Sequence, residues 1–203
     1  MRLVSFDAGD GPRAALLRDG RLYDIWGDAF QGIRAEDRTL DAILAAGLLD
    51  QVEAVEHDGI PLEDVRLLPP LSRPGKIICI GLNYRAHAEE QGIEPPSMPT
   101  FFAKFATSLV PAGATVPLPS WSRRVDYEAE VAFVIGTRGK DIAEADALDH
   151  VAGYTLLNDL SARDYQVKTP QWMPGKTFDG AAPFGPALVT KDEAGPHDAI
   201  EIA

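Results

Sequence analysis

Three acidic residues stand at alternate positions in Val125-Asp-Tyr-Glu-Ala-Glu-Val-Ala-Phe-Val-Ile135: Asp126, Glu128 and Glu130. Side chains on an extended strand alternate between faces, so this spacing turns three carboxylates the same way. The other face reads Val125, Tyr127, Ala129, Val131, Phe133 and Ile135, all apolar or aromatic, and the acidic face itself becomes apolar at Ala132 and Val134. The pattern predicts one strand, buried on both sides at its far end, with negative charge gathered at its start. Adjacent carboxylates repel and resist desolvation unless something positive lies between them. A hard divalent cation, Mg²⁺ or Mn²⁺, suits oxygen ligands of this kind. A solvated acidic face is the ordinary alternative.

Asn158-Asp-Leu-Ser-Ala-Arg-Asp-Tyr-Gln166 is a second cluster. Asp159 ends an apolar run and can supply a third metal ligand. Arg163 and Gln166, three apart, share a face if the segment is helical. There they can hold a carboxylate or carbonyl oxygen of a ligand. The plainer reading is a helix N-terminus with Asp159 near its start. In Asn83-Tyr-Arg-Ala-His-Ala-Glu-Glu-Gln91, His87 and Glu90 have the helical spacing at which they touch. A carboxylate beside an imidazole raises its basicity and fixes its tautomer, as a general base requires; a surface histidine with an acidic neighbour is the commoner case. His57, His150 and His197 lie in polar stretches and are expected at the surface. Gly175-Lys-Thr-Phe-Asp-Gly180 places Lys176 where it can turn inward as a charge donor. It lacks the glycine spacing of a phosphate-binding loop.

The elements that must position these groups are short. Arg2–Phe6 reads as a strand, and Arg13–Arg18 and Arg21–Trp26 flank Asp19-Gly20, a strong hairpin signal. Thr39-Leu-Asp-Ala-Ile-Leu-Ala-Ala46 reads as a helix capped by Thr39, with Gly47 past its end. Leu67-Leu-Pro-Pro-Leu-Ser-Arg-Pro-Gly75 is the expected linker between a small domain at 1–70 and a larger one at 71–203. Lys76–Ile80 reads as a buried strand ended by Gly81, Tyr84–Gln91 as a helix, and 93–100 as a mobile surface loop. Strands follow at Phe101–Phe105 and Gly153–Leu157, with helical segments at Glu144–Val151 and Ser161–Val167. The sum is a mainly β (α+β) protein with a small N-terminal α+β domain.

Composition narrows the function classes. The chain has 203 residues, 45% hydrophobic and 25% charged, which suits a globular protein with a sizeable core. A net charge of −12 argues against nucleic acid or an anionic membrane surface as partner. The single cysteine, Cys79, excludes an internal disulfide and is expected to be a buried packing residue. The first residues have no signal-peptide pattern and no apolar run is long enough to span a membrane, so the cytoplasm is the expected compartment.

Four stretches in this order resemble the fumarylacetoacetate hydrolase family: Ile80-Gly-Leu-Asn-Tyr-Arg-Ala-His87, Asp126-Tyr-Glu-Ala-Glu-Val-Ala132, Gly153-Tyr-Thr-Leu-Leu-Asn-Asp-Leu-Ser-Ala-Arg-Asp164 and Gly175-Lys-Thr-Phe-Asp179. The likeness runs over about residues 70–190, and the first segment looks like the small N-terminal domain of many bacterial members. The resemblance implies the family's mixed β-sandwich and β-roll, assembled as a homodimer. It implies Glu128, Glu130 and Asp159 as metal ligands and His87 with Glu90 as a catalytic dyad. Arg163, Gln166 and Lys176 match positions that contact substrate, with Lys176 expected to act in catalysis and Tyr84 to bind substrate alongside them. Asp126 shares their face but is not expected to be a ligand. The family's catalytic domain normally continues beyond the point reached by Glu201-Ile-Ala203, so the domain is expected to be truncated here.

The activity expected from this resemblance is Mg²⁺- or Mn²⁺-dependent hydrolysis of a C–C bond in a 2-oxo or β-diketo acid, with His87 and Glu90 activating water. The alternative is an isomerase or decarboxylase of unsaturated dicarboxylic 2-oxo acids or oxaloacetate in aromatic catabolism. A truncated, inactive metal- or ligand-binding domain is the alternative of another class.

Overall fold

A computed structural model of the chain describes residues 1–26, 28–34, 37–54, 58–84, 89, 92, 94 and 96–201. The fold is mostly β. The strands are β1 (Arg2–Asp7), β2 (Pro12–Arg18), β3 (Arg21–Trp26), β4 (Glu53–Ala54), β5 (Ile60–Pro61), β6 (Leu67–Leu68), β7 (Ile77–Gly81), β8 (Thr100–Lys104), β9 (Leu109–Pro111), β10 (Val125–Asp126), β11 (Ala129–Ile135), β12 (Val151–Asn158), β13 (Ser161–Ala162), β14 (Ala182–Phe184) and β15 (Leu188–Thr190). Short helices are α1 (Leu40–Ala45), α2 (Arg163–Gln166), α3 (Met173–Lys176) and α4 (Lys191–Ala194). None of the helices among the described residues is long and apolar enough to cross a membrane.

Local chemistry explains several elements. Asp19 and Gly20 sit at φ +49° and +71°, the left-handed pair that a two-residue hairpin loop needs, and β2 folds onto β3 with Arg18 opposite Arg21. The Thr39 hydroxyl accepts the Ala42 N–H at 3.2 Å and caps α1, whose Leu40, Ile43 and Leu44 are buried.

A large sheet runs β4-β3-β2-β1-β15-β12-β14-β9, with β11 joined to β12, β5 to β3 and β6 to β1. Strand β1 is therefore central. Leu3 faces a core shared with Ile25, Phe30, Leu40 and Ile43 and with Val134, Leu157, Phe184 and Leu188, so the N-terminal segment and the rest pack on common ground. Val4 and Phe6 face a second cluster with Ala15, Leu22 and Ala187. Two hairpin-like pairs, β7–β8 and β10–β13, stand apart from the large sheet and carry parts of the site.

The structure departs from the sequence reading in five places. The single strand expected over Val125–Ile135 is split, because Tyr127 and Glu128 leave the ladder between β10 and β11. It is not buried on both sides either: Phe133 and Ile135 are 45% and 61% exposed. Strand β7 is only half-buried, with Ile78 and Ile80 outward and Cys79 partly accessible. The proline-rich stretch expected to link the two segments is packed against the sheet, not exposed: β6 pairs with β1, Pro70 is buried, and Ser5 donates to the Pro70 carbonyl at 2.7 Å. Finally, Glu144–His150 is a 3₁₀ helix, and the helix expected over Ser161–Val167 shrinks to α2 because Ser161 and Ala162 pair with β10.

Candidate active site

The site forms where the split strand meets the end of β12. Ala129 pairs with Asn158, and Asp126 with Ser161, but Glu128 makes different bonds. Its N–H donates to Asn158 Oδ1 at 3.2 Å, and its carbonyl accepts the Asp159 N–H at 2.8 Å. The interruption thus ties Glu128 to the Asn158-Asp159 corner and keeps both acidic side chains in one place.

Lys176 enters from α3. Its approach depends on Gly175, where a Cβ would lie 2.5 Å from Gln166 N and 2.6 Å from Ala162 O; only a bare backbone lets α3 lie this close to α2. Lys176 is buried, and its Nζ donates to Glu128 Oε2 at 2.7 Å and to Asp159 Oδ2 at 2.9 Å. It also stands 5.1 Å from the Phe102 ring centre. Lys104, at the end of β8, is buried as well. Its ammonium donates to the Lys176 carbonyl and lies 2.7 Å from Asp159 Oδ1, as an ion pair without directed hydrogen-bond geometry. Arg163, at the start of α2, forks onto Asp126 Oδ2 through Nε at 3.1 Å and Nη2 at 2.9 Å. Its Nη1 reaches Glu128 Oε1 at 2.5 Å and donates to Gln166 Oε1 at 3.0 Å.

These partners fix the electrostatics. Burial pushes the Glu128 carboxyl up, but Lys176 and Arg163 outweigh it and hold it below the usual range. Glu130 goes the other way: burial raises it and the Glu128 charge adds to that, against a hydrogen bond from Tyr84. The Tyr84 phenol is raised by burial and by Glu130. Burial lowers the Lys104 ammonium, against the pull of Asp159. Cys79, on the neighbouring strand, has its thiol pushed up to about 12 by burial first and by Asp159 second.

The expected residues are therefore placed as follows. Glu128, Asp159, Lys176, Arg163 and Gln166 come together, and Glu130 with Tyr84 adjoins them in one open cleft. Asp126 serves Arg163. His87 and Glu90 lie outside the described residues, as does most of the helix expected over Tyr84–Gln91. Lys104 was not singled out by sequence; its signal was a lone charge inside the apolar run Phe101-Phe-Ala-Lys-Phe105. Trp172 was also missed. It packs over Gly81, where a Cβ would meet its ring at 2.2 Å, and lies 5.7 Å from Phe102, walling the cleft. His150, expected at the surface, is half-buried, with Nδ1 2.9 Å from the Thr137 carbonyl.

As arranged here, no three His, Cys, Asp or Glu side chains among the described residues enclose a point where a metal ion would fit. The donor chemistry nevertheless suits a hard cation. Asp159 Oδ1 is buried without a directed hydrogen bond, and Glu130 is hydrogen-bonded by the neutral Tyr84 phenol.

Comparison with known proteins gives these features a context. The family model described as "Fumarylacetoacetate (FAA) hydrolase C-terminal" matches residues 76–203, and one described as "Rv2993c-like, N-terminal" matches residues 1–70. The Xenopus laevis protein named oxaloacetate tautomerase fahd2, mitochondrial, is 42% identical over 208 residues, covering 98% of this chain and 65% of that protein. The human protein named oxaloacetate tautomerase FAHD2A, mitochondrial, is 49% identical over 142 residues, covering 68% of this chain and 45% of that one. The crystal structure of a 2-hydroxyhepta-2,4-diene-1,7-dioate isomerase from Mycobacterium marinum superposes with a TM-score of 0.72 at 30% identity, covering 94% of this chain and 66% of that one. The chain spans just under two thirds, or less, of the length of these relatives.

Proposed function

The chain belongs to the fumarylacetoacetate hydrolase family, and from that premise we propose that it interconverts the keto and enol forms of a small dicarboxylic 2-oxo acid of the oxaloacetate class. The observation that carries this reading is the similarity to a relative named for that reaction, which extends over 98% of the chain. The relatives' names favour the isomerase arm of the sequence expectation over C–C hydrolysis.

The reaction needs little. A C–H bond beside the carbonyl breaks, its electron pair becomes a C=C bond, and the carbonyl oxygen gains a proton; no water or carbon dioxide is involved. Lys176 Nζ, which donates to two cleft carboxylates, would donate to the oxygen on which negative charge gathers. Arg163, with Gln166 beside it, holds a substrate carboxylate by exchanging part of its fork from Asp126. Tyr84 borders the same space. His87, supported by Glu90, is the proposed carrier of the carbon-bound proton. Enzymes of this family generally use a divalent metal ion. Glu128, Glu130 and Asp159 would hold Mg²⁺ or Mn²⁺ here, and the ion would stabilise charge on substrate oxygens as a Lewis acid. A homodimer in the cytoplasm, without nucleic acid or membrane partners, completes the proposal.

The test is direct. Oxaloacetate in D₂O with Mn²⁺ should exchange its C3 protons faster with the protein than with Mn²⁺ alone, by NMR, and Lys176→Met should lose that gain. A wild-type chain that adds nothing to the metal-only rate refutes the reading. Release of pyruvate from an acylpyruvate at a higher rate than oxaloacetate exchange would return hydrolysis to first place.

A further inference from the structure

We propose that Lys104 is a positioning residue of this site, a role that rests on the tautomerase reading for its chemistry but not for its geometry. Three observations carry it. Lys104 is 2% exposed, so its charge has no solvent to stabilise it and must be compensated by its neighbours. Among the described residues its ammonium meets two parts of the site: Asp159 Oδ1 at 2.7 Å and the carbonyl of Lys176. Asp159 is consequently shared by two ammonium groups, Lys104 on one oxygen and Lys176 on the other, 2.9 Å from Oδ2.

A carboxylate held at both oxygens cannot rotate about its terminal bond, so the plane of Asp159 is set by Lys104 from behind and by Lys176 from the cleft. The hydrogen bond to the Lys176 carbonyl adds a second constraint, on the backbone from which the Lys176 side chain springs. Lys104 thus clamps both ends of the Lys176–Asp159 pair. Glu128 cannot do this, because it contacts only the tip of Lys176. Lys104 reaches no substrate atom in this scheme; it acts through Asp159 and Lys176. Because Lys104 brings a positive charge to an oxygen that a divalent cation would also seek, it further weakens the site's pull on that cation.

Lys104→Met, close in length and uncharged, tests the idea, with Lys104→Gln as the second variant should the first not fold. The expected crystal structure of Lys104→Met has Lys176 Nζ out of reach of Asp159 while still on Glu128. Mn²⁺ affinity, measured by calorimetry without substrate, should stay the same or rise by about threefold, because a competing charge has gone. The kcat for oxaloacetate tautomerisation should fall by about tenfold or more, with KM within about threefold of wild type. A merely structural lysine predicts something else: weaker Mn²⁺ binding and lower kcat together, in step with lost stability. That pattern overturns the proposal. So does a variant structure in which Lys176 still bridges Glu128 and Asp159, and so does a chain that folds with neither substitution. If wild type shows no tautomerase activity, the functional reading fails, and the variant structure alone decides the role of Lys104.

Discussion

The Asp159 N–H donates to the Glu128 carbonyl at 2.8 Å, so two acidic side chains expected to share a cation are joined through their backbones before any side chain is considered. That bond explains why Glu128 leaves the strand ladder. It also explains why the Lys176 ammonium can lie within 3 Å of a carboxylate oxygen from each.

Replacing Lys176 by Met takes away the ammonium those carboxylates share. Breaking a buried ion pair by removing one partner costs about 3–5 kcal/mol. The thermal midpoint should fall accordingly, and added Mn²⁺ should raise it more in Lys176→Met than in wild type, since a cation can take the vacated place. No Mn²⁺ shift in either protein would show that these carboxylates do not accept the ion.

Arg163→Lys keeps the charge and loses the fork. The Nε and Nη2 bonds to Asp126 and the Nη1 contacts with Glu128 and Gln166 cannot all be made by one ammonium. KM for a dicarboxylic 2-oxo acid should rise by about tenfold, roughly the worth of one charged hydrogen bond. The unfolding midpoint should move less than in Lys176→Met, because Lys keeps the charge and Asp126 is half exposed. An unchanged KM in steady-state kinetics would remove Arg163 from substrate binding.

Gly175→Ala forces a methyl group to within 2.5 Å of the Gln166 nitrogen and 2.6 Å of the Ala162 oxygen, both backbone atoms that cannot swing away. Overpacking of this kind costs about 1–3 kcal/mol. Urea denaturation should show that loss, and activity should fall with it, because α3 carries Lys176. Wild-type stability would mean that the two helices part more easily than their contact implies.

Cys79 should alkylate slowly. Its thiol is pushed up to about 12 by burial and Asp159. The thiolate is the reactive form, and a raised pKa means less of it at any pH below that value. At pH 8.5 iodoacetamide should react at least about tenfold more slowly than with an ordinary free thiol, and the rate should keep climbing as pH rises beyond 9. A rate that levels off near pH 9, followed by mass spectrometry, would place the thiol in open solvent.

Much of this was legible in the sequence. Asp19-Gly20 gives the hairpin because Asp and Gly both tolerate the left-handed conformation a type I′ loop uses, and Thr39 caps α1 because its hydroxyl reaches the Ala42 N–H. The Asp159, Arg163 and Gln166 grouping was local enough for spacing to reveal it. What could not be read was long-range. Lys104 meets Asp159 and Lys176 only because β8 lies against α3, and its four apolar neighbours Phe101, Phe102, Ala103 and Phe105 conceal its partners. The break at Glu128 was equally hidden, since alternation predicts a continuous strand and Asn158 Oδ1 takes the amide that the ladder would have used. The packing of Pro70 was hidden too, since the Ser5 hydroxyl that donates to its carbonyl lies 65 residues away in the chain.

Strand β1 lies mid-sheet between partners drawn from opposite ends of the sequence, and Met1 accepts the Thr190 hydroxyl across 189 residues. Folding must therefore wait. During synthesis β1 can pair early with β2 and, at Ser5 and Phe6, with β6, but the stretch of its other edge at Arg2 and Leu3 waits for β15, and contacts of such separation form slowly. Until then a two-residue stretch in the eventual middle of this sheet is an open edge, the kind that invites pairing with other chains. A sheet closed by partners so far apart in the chain is completed late in folding.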